Sequence, residues 1–155
     1  MKTCTVTLKS TSPYSQGKHI TEEKKAGESN SDHEKRAWRQ RLHTDAAGNV
    51  VIPPMSFKNC LSEAAKFLGR QIKGKGKCTY TKHFEVGVMV LEAMPLGIEA
   101  ASVPGEWLFV PSDGKRGGGS RVDKCFPLIA EWSGKVTFHL LDPVISKEIF
   151  EEFLS

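Results

Sequence analysis

A chain of 155 residues suits one domain, burying about 68–70% of its unfolded surface. Its 39% hydrophobic and 26% charged content is that of a soluble globular protein, and no apolar run approaches the ~20 residues needed to span a bilayer. The net charge of +4 is mild, so its placement carries more information than its size.

Residues 3–9, TCTVTLK, alternate between Cys4, Val6 and Leu8 on one face and Thr3, Thr5 and Thr7 on the other. That pattern predicts a half-buried first strand and is not the apolar core of a signal peptide. Ser12-Pro13-Tyr14 ends it. Residues 16–49 are polar, with Trp38 and Leu42 the main apolar exceptions. A structureless loop of that length is uncommon inside a compact domain. The stretch therefore reads as an insertion, with a short helix over 34–43 docking through Trp38 and Leu42. Its early part, 17–32, has the composition of a disordered segment.

Val50, Val51 and Ile52 form a β-branched run expected of a buried strand, which Pro53 and Pro54 stop. Ser56 is placed to cap a helix whose inner face is predicted as Phe57, Cys60, Leu61, Ala64 and Leu68. Lys58, Asn59, Ser62, Glu63 and Lys66 fall on the outer side, and Gly69 suits a left-handed C-terminal cap. The following QIKGKGKCTYTKH reads as a mobile basic loop. FEVGVMVL (84–91) predicts a strand with Phe84, Val86, Val88 and Val90 on one face and Gly87 at a bulge or close approach.

Residues 92–106 read as loop, WLFV (107–110) as a short buried strand, and PSDGKRGGGS (111–120) as an exposed basic loop. A short strand at 125–129 and another at 136–141 follow. A last helix over 146–154 turns Ile145, Ile149, Phe150 and Phe153 inward, with Ser146 as its cap and Glu148 at the positive end of its dipole. The cysteines Cys4, Cys60, Cys78 and Cys125 form no CxxC pair, so no zinc site is expected. Cys4 and Cys60 read as small core residues, and disulfides are not expected in the cytosolic location that the sequence favours. The order is α+β, a β-α-β-β-α core of ferredoxin-like type without its last strand.

Three segments carry a resemblance. They are TSPYSQ (11–16), NVVIPPMSFKNCLSEAAKFL (49–68) and WSGKVTFHLLDPVISKEIFEEFL (132–154). Ile52, Pro53, Ser56 and Lys58 match a helix-starting IPxSxxKG type of segment, with Asn59 where glycine is frequent. The chain thus resembles the RAMP superfamily, the ferredoxin-like RNA-binding subunits of CRISPR effector complexes, in a small phage-encoded form without the C-terminal glycine-rich loop. The resemblance implies a partner that is single-stranded RNA or DNA, or a CRISPR effector complex that the protein could inhibit by occupying a subunit position. It also implies an unpaired sheet edge able to recruit another chain, a second copy included.

Two segments are candidate binding surfaces. Around 70–83, Arg70, Lys73, Lys75, Lys77, Lys82 and His83 offer donors to phosphates and Tyr80 a ring for stacking; Lys58 on the helix would extend the surface. Around 112–124, Lys115, Arg116, Arg121 and Lys124 flank glycines that let backbone N–H groups approach an anion. The competing reading for both is a solvated loop whose cations serve solubility alone. No Walker motif is present, and His19, His33, His43, His83 and His139 stand in no catalytic spacing. No cofactor and no catalysis are expected. The alternatives are a stand-alone single-strand binder of phage replication or recombination, and a metal-independent RNase with a histidine base.

Overall fold

The computed structural model describes every residue except Arg116, Gly118 and Ser155. The chain is α+β, with three small sheets among the described residues, and it gathers into two compact units. Among the described residues no helix is long and apolar enough to cross a membrane.

Unit 1 takes in Met1–Leu8, Ile52–Met94 and the chain from Gly134 onward. Its sheet has the order β1 (Lys2–Lys9), β7 (Ser133–Leu140), β3 (Val88–Val90), and β3 runs antiparallel to β7 with Met89 opposite His139. Alternation along β7 buries Val136, Phe138 and Leu140 and turns Thr137 and His139 to the other face. Phe138 meets Phe57 of α2 (Pro54–Leu68) edge to face at 6.4 Å and Phe150 of α4 (Lys147–Leu154) at 5.3 Å. Helices on an antiparallel sheet thus bury one aromatic layer. As expected, Ser146 caps α4, its Oγ accepting from the Ile149 N–H, and Phe150 and Phe153 face inward.

Two sequence expectations for α2 change. The helix begins at Pro54 with Pro53 as an extended N-cap, and Ser56 lies inside the first turn. A proline at the first helical position has φ preset and no N–H to leave unpaired, so no side-chain cap is required. The buried face is Phe57, Leu61, Ser62 and Ala65, while Cys60 and Leu68 are exposed. Lys58 lies on the flank that turns under, and its ammonium reaches inward to the carbonyls of Phe84 and Glu85. Gly69 closes the helix at φ 53°, as its position predicts.

Residues 84–91 are not one strand. α3 (Thr81–Gly87) is a helix, and only Val88–Val90 extend. The apolar alternation favoured a strand, but Tyr80, Phe84 and Gly87 share a face at helical spacing, and packing decides in favour of that face. Phe84 is fully buried and stacks on Phe153 at 4.3 Å, while Val86 is left 74% exposed. Gly87 marks a close approach, since a Cβ there would stand 2.5 Å from the Cβ of Asp142.

Unit 2 comprises Lys9–Val51 and Pro95–Ser133, that is, the chain after β1 and the chain between β3 and β7. α1 (Asn30–Ala37) is capped by Ser29 and runs into a 3₁₀ turn, Trp38–Arg41. Trp38 and Leu42 are buried as expected, but the helix begins at Asn30 and not at 34. The stretch read as disordered is tied to it, with Arg36 bonded to Glu28 and His33 to the Glu22 carbonyl. Residues 92–106, read as loop from Pro95 and Gly97, contain β4 (Met94–Glu99), which pairs with β2 (Asn49–Ile52). Leu42, Val50, Val103 and Ile129 form the core, with Tyr14, Leu96, Ile98 and Trp132 against it. Gln16 is buried because its amide completes the backbone of that core, accepting from the His43 N–H and donating to the Val51 carbonyl.

β5 (Gly105–Pro111) and β6 (Arg121–Pro127) form an antiparallel ribbon. It is rooted where Gly105 and Cys125 meet Trp38. The expectation of a buried WLFV strand fails here. Trp107, Leu108 and Phe109 are exposed, because a two-stranded ribbon has no further layer to cover its outer part.

Candidate nucleic-acid interface

In unit 1 the segment after α2 is a hydrogen-bonded turn. The Tyr80 N–H donates to the Arg70 carbonyl at 3.0 Å, and Ile72 N–H to the Cys78 carbonyl at 2.9 Å. Gly74 and Gly76 supply the positive φ that the tight path requires, and Ile72 is buried beneath. The backbone is thereby held while Lys73, Lys75 and Lys77 stay exposed, and Lys82 is exposed on the first turn of α3. Among the described residues none of these four ammonium groups makes an ion pair.

Two members of the sequence-derived set are otherwise engaged. Arg70 pairs with Glu152 at 3.1 Å. Lys58 gives its N–H groups to Ser62 Oγ and to the carbonyls of Phe84 and Glu85, closing the end of α3. Burial pushes its pKa down, against the opposing pull of Glu85. Lys58 is therefore a structural cation and does not extend the surface.

His83 brings a partner that sequence reading missed. Its Nδ1 donates to Asp142 Oδ2 at 2.6 Å, and Asp142 Oδ1 accepts the Val144 N–H at 2.9 Å. The hydrogen bond from His83, with that N–H and the charges of His83 and Lys75 behind it, holds the Asp142 carboxyl below the usual range. Nε2 is the ring nitrogen that Asp142 does not engage, and Tyr80 flanks the imidazole at 6.3 Å between centroids. Asp142 is 59 residues away in sequence, so no local spacing could have paired it with His83.

The second basic segment belongs to unit 2, so the two segments serve different compact units. Ser112 N–H to the Ser120 carbonyl closes the ribbon, Lys115 is exposed at the turn, and its N–H binds Asp113. Arg121 is exposed with its guanidinium 5.9 Å from the Phe109 ring, and Lys124 is half-buried. Arg116 lies outside the described residues. No group of three or more His, Cys, Asp or Glu among the described residues could hold a metal ion. Comparison with protein-family models, with curated proteins and with solved structures finds no match.

Proposed function

We propose that this chain binds single-stranded nucleic acid, free or within a nucleoprotein such as a CRISPR effector complex, and performs no chemistry on it. The observation that carries the reading is the turn of unit 1: a fixed backbone presents Lys73, Lys75 and Lys77, with Lys82 nearby, none of them in an ion pair among the described residues. Exposed ammonium groups carried on a held backbone suit the phosphates of a single strand. A ferredoxin-like, RAMP-like core is part of the proposal. Its support is the order β1, α2, β3, β7, α4 and the sheet order β1-β7-β3, in which a ferredoxin-like sheet sets its first, third and second strands. In that arrangement the open side of β1 is where a further strand would pair.

If about four phosphates are neutralised, log affinity for a single strand falls with log salt at a slope near −3. The triple substitution Lys73→Ala, Lys75→Ala and Lys77→Ala should flatten that slope by about 2 and weaken all sequences alike. A salt-independent affinity, or an unchanged triple variant, removes the reading. Co-elution with purified type I or type III effector complexes tests the anti-CRISPR form of it.

The pair of His83 and Asp142 favours a second reading, metal-independent RNA cleavage. A carboxylate bound to Nδ1 fixes the imidazole tautomer so that Nε2 can take the proton of a ribose 2′-hydroxyl. Incubation of RNA with chelator present should then give discrete products that His83→Ala abolishes, with DNA of the same sequence left intact. RNA that stays whole rejects this reading and leaves the binding one standing.

A further inference from the structure

Outside the lysine turn, the outer half of the β5–β6 ribbon is the most unusual surface of unit 2. Trp107 is 46% exposed and Phe109 60%. The register sets Trp107 opposite Cys125, Phe109 opposite Asp123 and Pro111 opposite Arg121, so both rings stand on one face in consecutive same-face positions. Their anchor points lie about 6.8 Å apart along the strand, two rises of the ~3.4 Å that separate stacked nucleotides. The ladder holds the strand that carries the rings, and the ribbon is rooted at Gly105, Cys125 and Trp38, so stacking on them requires no ordering of the backbone.

We propose that Trp107 and Phe109 are a base-stacking platform for single-stranded nucleic acid, separate from the lysine turn. Cations and acids stand side by side around them, with a guanidinium against one ring, a setting for a planar base carrying a phosphate and not for an apolar peptide. Arg121 flanks the Phe109 ring and Lys115 stands exposed at the turn, whereas Lys124, opposite Leu108, lies on the other face with Glu106. Asp123 is the acid on the face of the rings, and Asp113 is occupied by the Lys115 N–H. That near balance is why rings, and not phosphates, dominate at this site, in contrast to the all-cationic turn of unit 1.

The platform rests on the binding reading above, and the test separates the two. The probe is an oligodeoxythymidine of about 20 nucleotides, which spans one or more single-strand sites. Tryptophan emission reports on it directly, since Trp38 is buried and Trp132 half-buried while Trp107 is open. Binding should quench the emission, and Trp107→Phe should lose most of the quench. Trp107→Ala with Phe109→Ala should weaken binding by about 10–100-fold with the salt slope unchanged. The single variant Phe109→Leu, which keeps an apolar side chain, guards against loss of the ribbon itself and should still weaken binding, by a smaller factor. A double variant that binds as tightly as the parent overturns the platform and assigns the exposed rings to a protein partner, with the lysine turn untouched. Absence of binding by the parent chain sinks both.

Discussion

Phe84→Ala should lower the unfolding free energy by about 3–5 kcal/mol and take the lysine surface with it. Phe84 is fully buried, stacked on Phe153 at 4.3 Å and nearly parallel to Phe150 at 6.4 Å. Truncation removes the ring and leaves a hole between Phe150 and Phe153 that a packed core does not close. α3 has seven residues, too few to persist alone, and Phe84 is the side chain that roots it. Loss of that root frees Lys82 and His83, and the Lys58 ammonium loses the Phe84 and Glu85 carbonyls it binds. Urea unfolding measures the first effect, and a flattened salt dependence of nucleic-acid binding measures the second. Val86→Ala is the informative companion. In the helix Val86 is exposed, so the change should fall within about 0.5 kcal/mol. In a strand it would share the face of Phe84 and cost far more. Comparable losses from both variants would overturn the helix.

That pair of variants also marks where sequence reading stops. FEVGVMVL alternates as a strand does, and only the distant rings of Phe150 and Phe153 make Phe84 part of a helix. Elements with a strong local signal were legible: the alternation of β1 and β7, the β-branched run before Pro53, Gly69 ending α2, and the helix closing the described chain. The docking of Trp38 and Leu42 was legible because they are the main apolar side chains in a polar stretch. Lys58 was misread because helical spacing placed it outside, whereas the open carbonyls at the end of α3 pulled its long side chain in. Exposure of Trp107 and Phe109 could not be read from composition, since an apolar run looks the same whether or not another layer covers it. Asp142 was invisible as a partner because its pairing with His83 is made by the meeting of α3 with the turn after β7.

Glu34→Ala should cost unit 2 about 3–5 kcal/mol, because it leaves a buried guanidinium without its counter-ion. Arg41 Nη2 donates to both Glu34 carboxylate oxygens at 2.7 and 2.9 Å, and the two side chains are only 14% and 10% exposed. The same pair holds β6 by its backbone: Cys125 N–H donates to Glu34 Oε1 at 2.9 Å and Arg41 Nε donates to the Cys125 carbonyl at 3.1 Å. Removing the carboxylate therefore strands a cation and a buried N–H together. Arg41→Ala should cost a similar amount by stranding the carboxylate. Replacing both residues by Met removes both charges but leaves the Cys125 N–H and carbonyl unpaired, so the double variant should recover only the charge part of the loss, and the cycle should show coupling of at least ~1 kcal/mol. The consequence reaches the ribbon, because Cys125 faces Trp107 across the ladder. With β6 released, quenching of Trp107 by oligodeoxythymidine should fall in Glu34→Ala and stay low in the double Met variant, which lacks both bonds to Cys125. A Glu34→Ala protein within about 0.5 kcal/mol of the parent would mean that Glu34 does not hold β6 in place and that the ribbon is held by packing on Trp38 alone.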